Sequence, residues 1–554
     1  MSEKLKDPQG CESAAGAAAG VLTALDKDTL ARLLNTGGMT RRQAIKWLTG
    51  MGISVVAAGS LITRLDQALA AETPKRGGRM RVATTSVSVK DSMDPAKFST
   101  ASDYMRGYTF YSGLTRFNAK TQAEPELAQS FEPNAEATQW VFKLRKGVTF
   151  HDGKTLDADD VVYSLMRHKD PNVGSVAKTM ANQISDVKAD GKDTVVITLT
   201  GPNADFPILL ATRYFMILKN GTTDFSTAVG TGSYKVKEFK PGTRALGVRN
   251  ENYFHEGRPY MDEMEIIGIG DDTARLSALY SGDVQMINSI APASIPDVES
   301  RKEVRLESVK APRFTPLNMM VDRPPFQNNP DLRLALKYLF DREKVLKTIY
   351  KGHGQIGNDH LFAPDDPFYD TALPVRMLDH DKAKFHLKKA GMEKATLELH
   401  VSEAAFGSVE LGMMLQAEAA KVGLTIDLKR EPSDGYWTNI WRKKSFHAGE
   451  WDARPTDDLL LTQGFKSDAE WNETQYKNEK LDKLVDEGRA TLDLGKRKEI
   501  YHEIQKIFYE DGTNVVPAFA DFITAVNAKV RGLIPVRTAN LSGQNFADSV
   551  WMDT

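Results

Sequence analysis

The chain has 554 residues, 41% of them hydrophobic and 26% charged, with a formal net charge of −2. These are ordinary values for a globular protein, and the length suggests about two to four domains. The charge balance and the lack of any basic run interleaved with aromatics exclude a nucleic-acid surface.

The first feature in chain order is a targeting segment. Thr40-Arg41-Arg42-Gln43-Ala44-Ile45-Lys46 resembles a twin-arginine export motif, with Ala44 departing from the usual Phe. Residues 47–63 carry no charge and form a moderately apolar run. At 17 residues that run is short for a bilayer span, which takes about 20. Ala68-Leu69-Ala70 follows as a cleavage site, so residues 1–70 are expected to be removed. The long leader before Thr40 contains a short amphipathic pattern at Leu30, Leu33 and Leu34. The only cysteine, Cys11, lies within it, so the mature chain from Ala71 has no thiol and needs no disulfide. Its net charge is −4. No later run is long or apolar enough to cross a membrane, and a soluble mature protein is expected.

Further along, Trp140, Phe142 and Leu144 alternate with Val141 and Lys143, the period of a strand. Gly147 makes a turn, and Val148 and Phe150 are expected to begin a second short strand. Asp157, three residues before Asp160, suits a helix N-terminus. Val161, Val162, Leu165 and Met166 give that helix one apolar face. A helical pattern spans 334–350. The Gly-x-Gly-x-x-Gly that follows, Gly352 to Gly357, is expected in a loop prolonged by Asn358, Asp359 and Pro364. A dinucleotide site needs a strand before it, so nucleotide binding is not expected. Residues 395–430 read as strand (Leu397, Leu399, Val401), helix (408–421, with Leu411, Leu415 and Val422 on one side) and strand (Leu424, Ile426, Leu428). Gly423 ends the helix. That is a βαβ unit with parallel strands and a right-handed crossover.

Residues 139–165 closely resemble the signature of the extracytoplasmic solute-binding proteins of ABC importers, in the family that handles peptides and nickel. The resemblance runs from about Gly77 to about Arg531. Further matching segments are Gly77-Gly78-Arg79-Met80-Arg81-Val82, Met93-Asp94-Pro95-Ala96, Tyr111-Ser112-Gly113-Leu114-Thr115 and Glu126-Leu127-Ala128. Gly230-Thr231-Gly232-Ser233-Tyr234, Arg249-Asn250-Glu251-Asn252-Tyr253, Ser281-Gly282-Asp283-Val284, Pro324-Pro325-Phe326 and Arg333-Leu334-Ala335-Leu336 follow in the expected order, then Asp341-Arg342. The resemblance implies an α/β, two-lobed periplasmic-binding-protein (Venus-flytrap) fold with an extra subdomain on lobe one. Lobe one would be 71–315, with the subdomain at about 115–240. Lobe two would be 316–516, and residues 517–554 would return to lobe one. The implied activity is capture of a peptide or peptide-like small solute in the periplasm. Delivery would be to the permease and ATPase subunits of an importer, by a monomer with no cofactor.

The segment Gly449-Glu450-Trp451-Asp452-Ala453-Arg454-Pro455-Thr456-Asp457 resembles a lobe-two segment that holds the peptide's amino group through an aspartate four residues before the proline. Here Trp451 occupies that place, Asp452 is one residue later, and Arg454 replaces an acidic residue. A guanidinium suits a carboxylate or phosphate, and an indole suits a sugar, an aromatic ring or a quaternary ammonium. The ligand is then acidic, sugar-derived or aromatic rather than a plain peptide, unless Asp452 has taken over amine capture. Trp451, Asp452, Arg454 and Thr456 are the candidate contacts in this segment. Phe98 and Tyr104 on lobe one, and Tyr436, Trp437 and Trp471 on lobe two, are candidates for an apolar cleft lining.

His353 and His360 share one loop, and nickel chelates are carried within the family, but no metal-ligating spacing is present and no metal bound directly by the protein is expected. There is no G-x-S-x-G elbow, no P-loop and no mature thiol nucleophile, so the chain is read as non-enzymatic. A periplasmic enzyme, and a chemoreceptor partner or chaperone on the same fold, are the readings from other classes.

Overall fold

The computed structural model describes residues 73–553. The export motif, apolar run, cleavage site, Cys11 and the Leu30, Leu33 and Leu34 pattern lie outside them.

The opening strand, Arg79–Thr84, is buried on both sides. Met80 and Val82 enter one core, and Ala83 enters another on the opposite face. It pairs in parallel with Glu263–Gly268 and Met286–Ile287, the arrangement of a sheet covered on both faces. Around it an eight-stranded mixed sheet runs in the order Val304–Arg313, Ala518–Asn527, Met286–Ile287, Arg79–Thr84, Glu263–Gly268, Arg244–Arg249, Tyr234–Lys240, with Gly354–Ile356 added on Ala518–Asn527.

The stretch of alternating apolar residues forms the strand Gln139–Leu144, with Trp140, Phe142 and Leu144 buried. It belongs to a four-stranded antiparallel sheet with Ala128–Pro133, Thr194–Leu199 and Ile184–Asp190. Helix Ala158–Arg167 starts with a reciprocal capping box between Asp157 and Asp160, and it buries Val161 and Leu165 against this sheet. The second strand expected at Val148 and Phe150 is absent. Only a single bridge, Thr149 to Thr155, forms there, because the chain turns again at Gly153.

A second sheet of five strands has the order Thr425–Arg430, Thr396–Val401, Phe446–Ala448, Leu317–Met319, Asn514–Val515. The βαβ unit lies within it. Thr396–Val401 and Thr425–Arg430 pair in parallel, and helix Ser408–Ala420 buries Leu411 and Leu415 beneath them. Gly423 takes a positive φ of 86° after the helix.

The chain passes between the two large sheets twice. Val304–Arg313 in the first leads to Leu317–Met319 in the second, and Asn514–Val515 leads back to Ala518–Asn527. Phe314, Val516 and Phe519 share one core at these passages.

Two expectations around residue 350 are corrected. The single helical pattern is two helices, Pro330–Lys337 and Arg342–Thr348, because the Asp341 side chain caps a new N-terminus by accepting from Lys344 N. The glycine-rich stretch is also more than a loop, since Gly354–Ile356 pairs with Ala518–Asn527. A Cβ on Gly354 would sit 2.3 Å from the Phe519 carbonyl oxygen, and one on Gly357 2.4 Å from that of Val516. These glycines admit a close strand rather than a phosphate.

Candidate functional site

The segment after strand Phe446–Ala448 lies along the passage between the sheets. Trp451 and Phe314 exchange two backbone hydrogen bonds, and Gly449 N donates to the Pro316 carbonyl. The segment ends where Thr456 caps helix Asp457–Gly464, its hydroxyl accepting from Leu459 N.

Two adjoining spaces open beside this segment, and Arg454 and Trp471 line both. The larger, 570 Å³, is walled by Tyr108, Arg213 and Tyr214 on one side and by Arg454, Pro455 and Trp471 on the other. The smaller, 500 Å³, is lined by Trp437, Trp441, Trp451 and Trp471 with Glu450, Asp452, Arg454 and Glu473. Four of the chain's seven tryptophans therefore meet in one compartment, far more than a random distribution would place there. Trp437 and Trp471 remain 40% and 38% exposed, so their faces are open to a ligand.

The floor of the smaller space is Glu473. Its carboxylate accepts from Trp441 Nε1 (2.5 Å), Trp451 Nε1 (2.9 Å) and Asn318 Nδ2 (2.9 Å). Burial raises its pKa against the opposing effect of these three donors. Two glycines make the arrangement fit. A Cβ on Gly464 would lie 2.3 Å from Trp451 Cη2, and one on Gly449 2.6 Å from Glu473 Oε1.

Trp451 is itself only 2% exposed. Its indole N–H donates inward to Glu473. Asp452 is exposed, but its Oδ1 accepts from Arg313 Nε at 2.7 Å, so that carboxylate already has a cation. Arg454 lies over Trp451 (5.2 Å) and Trp471 (5.8 Å) and donates through Nε to Gln463 Oε1 (2.8 Å). Burial, with Arg213 nearby, lowers its pKa against the attraction of Asp452.

Across the larger space, Arg213 stacks on Tyr104 at 3.8 Å, and Tyr104 meets Tyr214 edge-on at 6.1 Å. Tyr104 thus reaches the site through Arg213. Three expected contacts are corrected. Phe98 is fully buried against Gly107, Tyr436 is a core residue whose hydroxyl lies 2.9 Å from the Ala448 carbonyl, and Thr456 is a helix cap. None of the three lines either space. Sequence reasoning missed Arg213, Tyr214, Tyr108 and Trp441. One signal pointed to Arg213: it is the only charge between Phe206 and Leu218. His353 hydrogen-bonds Ser308, and burial lowers the pKa of His360 to about 3. No cluster able to hold a metal occurs among the described residues.

The segments that wall the cleft also touch directly beyond it. Ala204 N donates to the Arg489 carbonyl, Arg489 Nη2 to Gln183 Oε1 (2.7 Å), and Arg497 Nη1 to Asp205 Oδ1 (2.7 Å).

The dipeptide-binding protein of Escherichia coli (strain K12) is 24% identical to this chain over 489 residues, covering 80% of the chain and 90% of that protein. The probable di/tripeptide-binding protein 5 of Pseudomonas aeruginosa (strain UCBPP-PA14) is 28% identical, covering 72% and 82%. The structure of the ABC transporter-associated periplasmic binding protein DppA from Helicobacter pylori, in complex with the peptide STSA, superposes with a TM-score of 0.70 at 22% identity. It covers 87% of this chain and 99% of that one, and it shows the two-lobed periplasmic-binding-protein fold. The profile described as bacterial extracellular solute-binding proteins, family 5 Middle, matches residues 122–473. The chain belongs to the bacterial extracellular solute-binding proteins of family 5.

Proposed function

We propose that this protein is the periplasmic solute-binding component of an ABC importer. It captures a peptide or peptide-like small solute in the cleft beside Arg454 and delivers it to a permease. One observation carries this reading: a single cavity is walled on one side by Tyr108, Arg213 and Tyr214 and on the other by Arg454, Pro455 and Trp471. A solute in it touches both walls only when they are together, so its binding free energy favours closure. The names of the two curated relatives support a peptide-like cargo.

In this reading lobe one comprises 71–315 and 517–554, with its subdomain at about 115–240, and lobe two comprises 316–516. The protein reaches the periplasm through a cleaved twin-arginine-type signal, acts as a monomer with two permease and two ATPase subunits, and turns nothing over. No helix among the described residues is long and apolar enough to cross a membrane.

The test is paired. The purified protein binds a solute in a 1:1 ratio and leaves it chemically unchanged, and a deletion strain loses uptake of that same solute. Turnover, or binding with unimpaired uptake, contradicts the reading.

A further inference from the structure

Among the described residues the fully buried arginines have carboxylate partners. Arg106 pairs with Asp91 and Asp103, Arg342 and Arg376 share Asp359, and Arg497 pairs with Asp205. Arg213 and Arg454 differ. Both face the larger cavity, and among the described residues neither makes an ion pair. Arg213 lines it with its guanidinium on the face of Tyr104 and a hydrogen bond to the Tyr214 hydroxyl, both neutral partners. Arg454 spends one nitrogen on the neutral Gln463 amide and another on the Asp452 carbonyl (3.2 Å). Both are half-buried, and two cations that line one cavity with no ion-pair partner repel each other.

The carboxylates around the cleft supply only part of the missing charge, and none of them forms an ion pair with Arg213 or Arg454. Asp452 and Glu450 face Arg313, and Glu473 is tied to three N–H donors below the tryptophans. Glu470 alone among the residues lining the larger space is acidic, against Arg213, Arg454 and Arg489. The third of these is already matched, with Arg489 Nε 3.5 Å from Asp458.

We propose that the solute carries a carboxylate or phosphate group that sits between Arg213 and Arg454, and that this anion holds the cleft shut from both sides. The planar part of the solute lies in the adjoining compartment, against the open faces of Trp437 and Trp471. No free ammonium is required, because Asp452, Glu450 and Glu473 already have their own partners. This inference rests on the reading of the cleft as the solute site and specifies the cargo: an anionic solute with a flat apolar portion.

The experiment is a thermal-shift panel on the purified protein with solutes grouped by charge: aromatic and aliphatic carboxylates, phosphate monoesters, neutral amides of the same skeletons, amines, and dipeptides. Inorganic phosphate serves as the minimal probe. The expected hits all carry an anion. Each is weakened about 30-fold or more in both Arg213→Gln and Arg454→Gln, while the empty variants melt no lower than the wild type. Carboxylates and phosphate esters separate as two arms of the panel. Anionic hits of equal strength in the variants overturn the inference, as does a phosphate effect that persists in them. Hits among neutral amides or amines overturn the inference and leave the carrier reading standing. A panel in which no class of solute protects the wild type counts against both.

Discussion

The contact between Asp205 and Arg497 offers a way to separate closure from folding. Asp205 lies just before helix Phe206–Leu210, and Arg497 is on helix Leu494–Asp511. Both carboxylate oxygens accept from the guanidinium, and the two side chains are 9% and 5% exposed. In Asp205→Asn the shape is kept and one acceptor remains, but the buried Arg497 charge loses its counterion. Removing one partner of a buried pair costs about 3–5 kcal/mol, and the retained carbonyl puts this case near 3. If the pair spans the cleft, the molecule escapes that cost by opening and letting water reach Arg497. The loss then falls on closure: affinity for the bound solute drops roughly 100-fold, the radius of gyration in small-angle scattering rises, and the unfolding free energy of the empty protein in urea is unchanged. If the pair instead stabilised the fold itself, the same loss of about 3 kcal/mol would appear in urea unfolding, with a Tm fall of only about 3 °C in a chain of this length, and affinity would be unchanged. That second outcome refutes the assignment of the pair to closure.

Three further outcomes follow from the geometry. Asp458 sits among buried groups with one oxygen unpartnered, and burial lifts its pKa from 3.8 to about 6. The folded state therefore holds a proton that the unfolded state releases. Stability contributed by this group is present below about pH 4 and lost as pH rises through 6, so Asp458→Asn is more stable than wild type at pH 7.5 by about 3 kcal/mol and equal to it at pH 4, measured by urea denaturation. Gly464→Ala places a methyl against Trp451, which costs about 1–3 kcal/mol of overpacking against about 1 kcal/mol gained in helix propensity. A net loss of stability together with a change in tryptophan emission is expected, and a more stable protein would contradict the packing. Trp471→Ala removes a half-exposed ring that packs at a tilt against Trp451 and lies under Arg454. Stability falls by about 1 kcal/mol while solute binding weakens by a larger factor, and equal effects on both would make Trp471 merely structural.

The parts of this molecule that were legible in the sequence are those governed by local periodicity. Trp140, Phe142 and Leu144 point the same way because a strand alternates, and Asp157 and Asp160 cap a helix from adjacent turns. The unit from Thr396 to Arg430 contains its strand, helix, glycine stop and second strand within one segment. Failures came where a tertiary partner decides the local state. Gly354–Ile356 is a strand only because Ala518–Asn527, more than 160 residues away in sequence, provides the edge. The site is similarly non-local. The residues around Trp451 were found because their segment resembles a known one, whereas Arg213 and Tyr214 join them from 240 residues upstream through no local pattern beyond a lone charge in an apolar run. Phe98, Tyr436 and Thr456 show the converse error: aromatic or polar character alone does not separate a cleft wall from a core ring or a helix cap.

A carrier of this kind holds one small solute in its cleft without transforming it. Native mass spectrometry, after incubation of the purified protein with the low-mass fraction of the growth medium and periplasm, tests it most directly. The account predicts a single added mass per chain, released intact on denaturation and absent from the Arg213→Gln and Arg454→Gln variants. No added mass at any protein concentration, or a released molecule that differs chemically from the one taken up, would contradict it.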